Sequence, residues 1–305
     1  MNILEINELH MSFGGNKVLN GLDMAVPEHS IFGFVGNNGA GKTTTMKIVL
    51  GLLKADSGSV TVAGETVVYG ATKTNRHIGF LPDVPEFYGY MRPMEYLRLC
   101  GEITGLSSDR IKSRSEELLA LVGLREANRK ISGFSRGMKQ RLGIAQALLN
   151  EPLLLICDEP TSALDPIGRK EILDILSTIK GKTTVVFSTH ILSDVERICD
   201  HVAVLHNGQL ALSGTLAKIQ GQYRHNGFSI KFANPDEATQ FASSEKLKLP
   251  TIKLTQDTNV LTVIMEDHKE GGQLLIDLLS QKQITPGKFE ALEPTLESLF
   301  TEVVQ

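Results

Sequence analysis

Residues 36–44 read Gly36-Asn-Asn-Gly-Ala-Gly-Lys-Thr-Thr44, and the prediction of the fold starts from them. It matches the pattern G-x-x-x-x-G-K-[ST] at every fixed position. Glycine lets a backbone bend closely around a polyphosphate, and successive N–H groups then form a nest for anions. The lysine brings a positive charge to the β- and γ-phosphates, and the first threonine offers a hydroxyl to Mg²⁺. The sequence therefore predicts a phosphate-binding loop of Gly36, Asn37, Asn38, Gly39, Ala40, Gly41, Lys42, Thr43 and Thr44.

The residues on both sides of this loop fit the same interpretation. Residues 30–35 are a short apolar run that predicts a buried strand, and residues 44–50 read as the start of a helix. Bound phosphates would therefore lie at a helix N-terminus, where free N–H groups and the helix dipole favour an anion. A glycine-rich turn that binds nothing would not explain this order, so we predict an α/β fold of the P-loop NTPase type.

Length and charge divide the chain into two parts. Its 305 residues are enough for one large or two medium domains, and the net charge is −4. Residues 222–305 hold 8 Lys or Arg and 12 Asp or Glu, so residues 1–221 sum to zero. We predict one domain over 1–221 and a second over 222–305. Because the chain has no basic excess, we expect no nucleic-acid partner.

The three cysteines, Cys100, Cys157 and Cys199, are widely spaced and odd in number. This usage predicts buried free thiols in a reducing compartment. The N-terminus lacks a signal-peptide pattern, and no apolar run approaches the roughly 18 residues that a membrane-spanning helix needs. We expect a chain that is soluble alone and meets a membrane only through a partner.

Residue periodicity predicts an N-terminal β subdomain, a helical subdomain over about residues 84–150 and a buried sheet. The all-apolar runs in the sheet are typical of strands covered on both faces. The predicted elements are strands at 3–30, 58–69, 152–158 and 183–189, helices at 93–150 and 167–180, and a hairpin around Asn207-Gly208.

The C-terminal part follows the order β-α-β-β-α-β plus one helix, which predicts a small α+β, ferredoxin-like domain. The predicted elements are a strand at 228–232, a helix at 236–243, a hairpin of 251–255 and 260–265, a helix at 272–282, a strand at 288–292 and a last helix at 295–304.

Two acidic residues follow the apolar run that ends at residue 158. A phosphate loop needs a carboxylate for the metal and a group that activates water. Asp158 is placed to reach Mg²⁺, and Glu159, one residue on, to polarise the attacking water. An acidic junction between a strand and a loop is common by itself. The phosphate loop about 115 residues upstream makes the catalytic interpretation the stronger one.

A third motif is Gly133-Phe-Ser-Arg-Gly-Met-Lys-Gln-Arg-Leu142, in which Ser135 is suited to cap a helix and leave N–H groups for an anion. The phosphate loop, this motif, Asp-Glu-Pro-Thr-Ser-Ala-Leu-Asp165 and Ser-Thr-His190 together resemble the ATP-binding subunit of an ABC transporter. The resemblance covers residues 1–220. It implies an ATPase with ATP and Mg²⁺ as cofactors, working as a homodimer or with a second ATPase subunit.

The resemblance implies that two such domains close head-to-tail, so that residues of one contact the nucleotide of the other. Ser135, Arg136 and Gly137 match the phosphate-facing signature, whose more usual form is Leu-Ser-Gly-Gly-Gln. Arg136 and Met138 depart in the manner of exporters of drugs, antibiotics and polysaccharides. Asp165 matches a loop that signals across the dimer, and an N-cap for the helix that begins at residue 166 is its structural alternative.

Three more residues are implied by the resemblance. His190 matches a switch histidine that contacts the γ-phosphate and aligns the attacking water, whereas a lone histidine at a strand end is more often structural. Phe13 matches an aromatic, more often Tyr, that stacks on adenine, and the alternative is a core phenylalanine. Asp83 stands where the family usually has Gln, sometimes Glu, and would help hold Mg²⁺, although its side chain is charged and shorter.

The stretch Pro85–Leu97 holds three of the five tyrosines. The resemblance implies that this stretch docks a separate integral membrane permease, which would place the chain at the cytoplasmic face of the cell membrane as a peripheral subunit. Core packing of the helical subdomain is the alternative. The ending Leu292–Phe300 also resembles that of the exporter group, and its role stays open.

The function predicted is an ATP-binding and hydrolysing subunit that energises an ABC exporter. A soluble ABC-type mechanoenzyme or assembly factor is the second candidate, and a module that uses ATP only as a dimer clamp is the third. Glu159 and His190 argue against the clamp. Translation factors of this type carry two sets of motifs in one chain, and DNA-repair members insert a long coiled coil, which residues 42–135 leave no room for.

Overall fold

The computed structural model describes residues 1–71, 73–222, 226–247, 249, 251–265, 268–292, 296–297 and 299–300. They group into two compact units. The first contains Met1–Ala217, and the second is Lys218–Leu299.

Ten strands and seven helices lie among the described residues up to residue 222. In chain order the strands are β1 (Asn2–Phe13), β2 (Asn16–Pro27), β3 (Ile31–Val35), β4 (Ser57–Val62), β5 (Glu65–Thr66), β6 (Ile78–Leu81), β7 (Leu154–Asp158), β8 (Thr184–Thr189), β9 (His201–His206) and β10 (Gln209–Thr215). The helices are α1 (Lys42–Val49), α2 (Pro93–Ile103), α3 (Ser108–Leu121), α4 (Arg136–Ala147), α5 (Pro166–Ile179), α6 (Leu192–Ile198) and α7 (Leu216–Gln222).

The central sheet has six strands in the order β10-β9-β3-β8-β7-β6. All neighbours are parallel except the hairpin of β9 and β10. Every residue of β3, β7 and β8 is buried, as predicted for these strands, and this includes the polar Asp158 of β7 and Thr184, Ser188 and Thr189 of β8. Because parallel strands end at one edge of the sheet, Val35, Asp158 and Thr189 bring their following loops together. The functional residues lie at that edge.

A second sheet, of order β2-β1-β4-β5, is antiparallel. Its apolar face, with Leu4, Leu22 and Val62, packs in one core with Phe34 of β3 and Met46 of α1. Backbone φ angles of 55° and 86° at Gly14 and Gly15 make the turn between β1 and β2. The predicted β subdomain is therefore present.

The stretch predicted to be helical, residues 93–150, contains three helices, α2, α3 and α4. Tyr96 of α2 donates a hydrogen bond to Gln146 Oε1 of α4 at 3.0 Å. Arg141 of α4 donates one to the carbonyl of Val122 at 3.2 Å, just beyond α3. Ser107 and Ser135 cap α3 and α4 and account for the interruptions, since each starts a new helix.

The second unit contains β11 (Asn226–Lys231), α8 (Pro235–Ala242), β12 (Lys253–Asp257), β13 (Val260–Met265), α9 (His268–Gln281) and β14 (Lys288–Ala291). The sheet order is β12-β13-β11-β14 and every pair is antiparallel. This arrangement confirms the ferredoxin-like prediction. Its core includes Phe228, Ile230, Phe241 and Leu275. The last helix predicted over 295–304 lies mostly outside the described residues.

In the part of the chain that the structure describes, no helix is both long and apolar enough to cross a membrane. Cys157 and Cys199 are buried free thiols, as predicted, whereas Cys100 is only half-buried. Burial, followed by the charge of Asp158, raises the pKa of Cys157, so this thiol stays protonated.

Candidate nucleotide-binding site

The phosphate loop joins β3 to α1, as the sequence predicted. A Cβ at Gly36 would lie 2.7 Å from the carbonyl oxygen of Leu205, so only glycine fits there. Gly41 is the N-cap of α1 with a φ of 111°, and a Cβ on it would lie 2.8 Å from Leu19 Cδ2. No side chain caps α1 at Gly41, so its first N–H groups remain available to an anion.

Lys42 is the first residue of α1 and only 6% exposed. Its Nζ donates to the carbonyl of Gly36 at 2.7 Å and to that of Asn37 at 3.3 Å. The same ammonium lies 3.3 Å from Glu159 Oε1. The loop's own carbonyls and this carboxylate therefore hold the lysine ammonium against the loop.

Asp158 is buried at the end of β7 and its two carboxylate oxygens have different partners. Oδ2 accepts from the hydroxyl of Thr43 at 2.8 Å, and Oδ1 accepts from the hydroxyl of Ser188 at 2.6 Å. Ser188 Oγ also accepts from the backbone N–H of Glu159 at 3.0 Å. Sequence reasoning missed Ser188, whose only signal is its place at the end of a buried strand, two residues before His190.

Glu159 adopts a left-handed backbone conformation, with a φ of 48°. Such conformations cost of order 1–3 kcal/mol outside glycine and cluster at functional sites. Its Oε2 lies 3.0 Å from Nδ1 of His190, so the structure brings the two predicted catalytic residues into contact. Its Oε1 is buried and, among the described residues, has no hydrogen-bond partner besides the nearby ammonium of Lys42.

One cavity of about 390 Å³ collects these groups at the sheet edge. Ser162, which sequence reasoning did not single out, also lines it. The lining residues are Asn38, Gly39, Gly41, Lys42, Thr43, Thr44, Asp83, Asp158, Glu159, Ser162 and His190. Asn37 and Ala40 line a neighbouring cavity with Asn38 and Gly39.

The oxygen atoms that could act as metal ligands in this cavity suit an Mg²⁺ ion that binds together with a nucleotide. No group of three or more His, Cys, Asp or Glu among the described residues could hold a metal ion by itself. Mg²⁺ typically takes one or two protein ligands and completes its shell with phosphate oxygens and water. Thr43 and Asp158 would hold it here, where it would neutralise charge on the phosphates.

Asp83 also lines the cavity, but its carboxylate faces a residue that the sequence assigned elsewhere. Asp83 Oδ1 lies 3.1 Å from Nη2 of Arg136 in the same subunit. The resemblance placed Asp83 on the metal of one nucleotide and Arg136 on the phosphate of another. Because the two residues are 53 positions apart, no local pattern indicates their contact.

Four other predicted site residues, Phe13, Ser135, Gly137 and Asp165, are not among those that line the cavity. Ser135 accepts from the N–H of Met138 at 3.2 Å and caps α4. Asp165 accepts from the N–H of Gly168 at 3.0 Å and caps α5, as its structural alternative proposed. The phosphate contacts of Ser135 and Gly137 and the signalling role of Asp165 stay predictions.

Phe13 ends β1 and is 47% exposed. The core alternative for Phe13 is therefore wrong, since its ring remains open to solvent. Adenine stacking by this ring stays a prediction.

Comparison with known proteins identifies the family. The model of a family described as ABC transporter matches residues 19–162. YxlF of Bacillus subtilis (strain 168), described as an uncharacterized ABC transporter ATP-binding protein, is 37% identical over 303 residues and covers 99% of each chain. The chain belongs to the ABC transporter ATP-binding protein family. The bacitracin transport ATP-binding protein BcrA of Bacillus licheniformis is 41% identical over 211 residues, 68% of each chain.

Two solved structures agree. An ATP-binding subunit of an ABC transporter is 34% identical, with a TM-score of 0.66 over 72% of this chain and 93% of that one. CbiO1 from Clostridium perfringens, part of the cbiONQ ABC transporter complex, is 27% identical, with a TM-score of 0.67 over 72% of this chain and 91% of that one.

This ABC ATP-binding protein is thus an ATPase that binds ATP with Mg²⁺. It is the ATP-binding subunit of a transporter, and subunits of its family pair with membrane permease subunits and dimerise. The observed cavity brings together residues of the phosphate loop, the carboxylate of Asp158 and the pair of Glu159 and His190 at one edge of one sheet.

Proposed function

We propose that this ATP-binding subunit powers export through a separate permease, as a peripheral subunit at the cytoplasmic face of the cell membrane. Two ATP molecules would close a head-to-tail dimer, and hydrolysis would reopen it. The contact of Glu159 with His190 beside Lys42 supports a subunit that hydrolyses ATP rather than one that uses it only as a clamp. The name of BcrA, a bacitracin transport protein, supports the exporter assignment.

Three cavity residues, Glu159, His190 and Lys42, have a proposed role in hydrolysis. Most catalysis of phosphoryl transfer comes from positioning and from charge stabilisation. Glu159 Oε1, the buried oxygen without a hydrogen bond, would accept from the attacking water, while His190 contacts the γ-phosphate and keeps the carboxylate oriented. Lys42 would stabilise charge on the γ-phosphate as it is transferred.

The permease contact is proposed for the surface of Pro85–Leu97. Tyr88 and Tyr90 are 55% and 67% exposed, whereas Tyr96 and Leu97 are buried in the helical subdomain. Part of this stretch is therefore exposed and open to a partner, and the rest packs in the core of the helical subdomain. Aromatic side chains are enriched at the centres of protein interfaces, so the exposed group suits a cytoplasmic helix of the permease.

A cleft of about 430 Å³ adjoins this aromatic surface. We propose that a helix of the partner packs into this cleft, as helices do in the grooves of other recognition surfaces. Its lining residues are Asp83, Val84, Pro85, Glu86, Phe87, Gly89, Ile131, Ser132, Arg136 and Lys139.

A pull-down in mild detergent tests the proposal. The tagged chain and its Glu159→Gln variant, both with ATP, should recover a multi-helix membrane protein. Tyr88→Ala combined with Tyr90→Ala should reduce that recovery, whereas Tyr69→Ala, an equally exposed tyrosine elsewhere, should not. An ATP-dependent homodimer alone, or a ribosome, would favour the soluble mechanoenzyme instead.

A further inference from the structure

Two residues that depart from the family's usual pattern, Asp83 and Arg136, form an ion pair with each other. The guanidinium nitrogen Nη2 lies 3.1 Å from Asp83 Oδ1, and the side chains are 42% and 45% exposed for Arg136 and Asp83. A neutral glutamine at position 83 would offer no charge to this guanidinium. The two departures therefore complement each other chemically.

Among the described residues, Asp83 is the one shared by the linings of the nucleotide cavity and the proposed docking cleft. Its backbone carbonyl accepts a hydrogen bond from Nε2 of Gln140 at 2.6 Å, and Gln140 is fully buried in α4. Helix α4 thus holds residue 83 twice. The buried amide of Gln140 holds the main chain, and the half-exposed guanidinium of Arg136 holds the side chain.

These two contacts differ in the free energy that is needed to break them. Breaking the bond of Gln140 would leave a buried amide without a partner, which is costly. The ion pair is exposed to water, and such pairs are weak. The carboxylate of Asp83 can therefore leave Arg136 while its main chain stays attached to α4, and Asp83 also lines the nucleotide cavity.

We propose that Asp83 exchanges Arg136 for the Mg²⁺ that accompanies ATP, so that the ion pair is a latch released by metal–nucleotide binding. The latch rests on the proposed function of the cavity and deepens it. With the nucleotide absent, Arg136 neutralises Asp83 and competes with the metal. With the nucleotide bound, the guanidinium is freed in the docking cleft, beside Glu86 and Lys139. Nucleotide binding in the cavity thereby changes which charged groups are free in the docking cleft.

The test is a double-mutant cycle at a protein concentration where sedimentation shows a monomer. Binding of a fluorescent ATP analogue is titrated against Mg²⁺ for the wild type, Arg136→Gln, Asp83→Asn and the double variant. Arg136→Gln should lower the half-saturating Mg²⁺ concentration about threefold, the size expected for one exposed ion pair. In the Asp83→Asn background the same substitution should leave the half-saturating Mg²⁺ concentration unchanged, because no carboxylate remains for which Arg136 and Mg²⁺ can compete.

Lys139→Gln is the matched control, since it removes one positive charge from the same helix and the same cleft. It should leave the Mg²⁺ dependence close to that of the wild type. If Arg136→Gln changes the half-saturating Mg²⁺ concentration equally in both backgrounds, or in neither, the latch is wrong. Normal nucleotide binding in the same experiment would leave the proposed function standing. A wild-type chain that binds no nucleotide would overturn both.

Discussion

The carboxylate of Glu159 lies 3.0 Å from the imidazole of His190 through one oxygen and 3.3 Å from the ammonium of Lys42 through the other. Glu159 makes both contacts with its backbone in the left-handed region, at a φ of 48°. A carboxylate held at both oxygens is restricted in rotation before any substrate arrives. Such preorganisation is the main source of electrostatic catalysis.

Substituting Glu159 or His190 should lower the rate of ATP hydrolysis without abolishing ATP binding. Glu159→Gln keeps the shape and removes the charge, so phosphate release should fall by about 10²-fold or more while ATP binding persists. His190→Ala should lower the rate similarly. Single-turnover phosphate release and equilibrium binding of an ATP analogue check both. If Glu159→Gln hydrolyses ATP at the wild-type rate, the water-polarising role is wrong.

Ser188→Ala should weaken both the fold and the metal site. The hydroxyl donates to Asp158 and accepts from the N–H of Glu159, so its loss leaves two buried groups short of a partner. We expect a loss of about 1–3 kcal/mol in the free energy of unfolding, and a higher Mg²⁺ requirement for ATP binding. Urea unfolding and Mg²⁺ titration measure the two effects.

Ser177→Ala is the control for this experiment, because among the described residues the hydroxyl of Ser177 bonds only to the carbonyl of Leu173, along its own helix. Its Mg²⁺ requirement should equal that of the wild type. A Ser188→Ala chain with unchanged Mg²⁺ dependence would show that Asp158 is positioned without this hydroxyl.

Gly41→Ala should abolish nucleotide binding for a steric reason. The new Cβ would lie 2.8 Å from Leu19, in a backbone conformation of φ 111° that alanine rarely adopts. Gly181→Ala offers a matched comparison, since Gly181 also has a positive φ, of 88°, but open space around its Cβ position. It should cost about 1 kcal/mol of stability and leave binding intact. Binding isotherms and thermal melts distinguish the two; equal binding by both variants would contradict the tight-loop argument.

Asp200 predicts a pH dependence of stability. Burial opposes its ionisation, but the N–H of Ile31 and the ammonium of Lys180 outweigh burial and hold its pKa below the usual range. A lowered pKa adds stability above the unfolded-state pKa, near 4, and this stability is lost as the pH falls through the folded-state pKa. Asp200→Asn should therefore be less stable than the wild type at pH 7, with the difference shrinking below about pH 4. Urea midpoints at both pH values test it, and a constant difference would rule out linkage to this carboxyl.

The sequence by itself determined the parts whose signal is local. The phosphate loop requires glycines and a lysine at fixed spacing, so residues 36–44 indicated it directly. Buried parallel strands read as apolar runs, which identified β7 and β8. The order of strands and helices after residue 226 was enough to predict a ferredoxin-like sheet. The acidic pair after the apolar run predicted Glu159 as the residue that polarises water, and the resemblance added His190 as its partner.

The tertiary structure decided which distant side chains meet. Ser188 joins Asp158 to Glu159 because β7 and β8 are neighbours in register, and Asp83 meets Arg136 because α4 packs beside the loop after β6. The exposure of Phe13 and the division of Pro85–Leu97 between surface and core also depend on packing. Periodicity reports the face that a residue occupies on its own element. It carries no information on which element covers that face, and the chemistry of this cavity depends on those contacts.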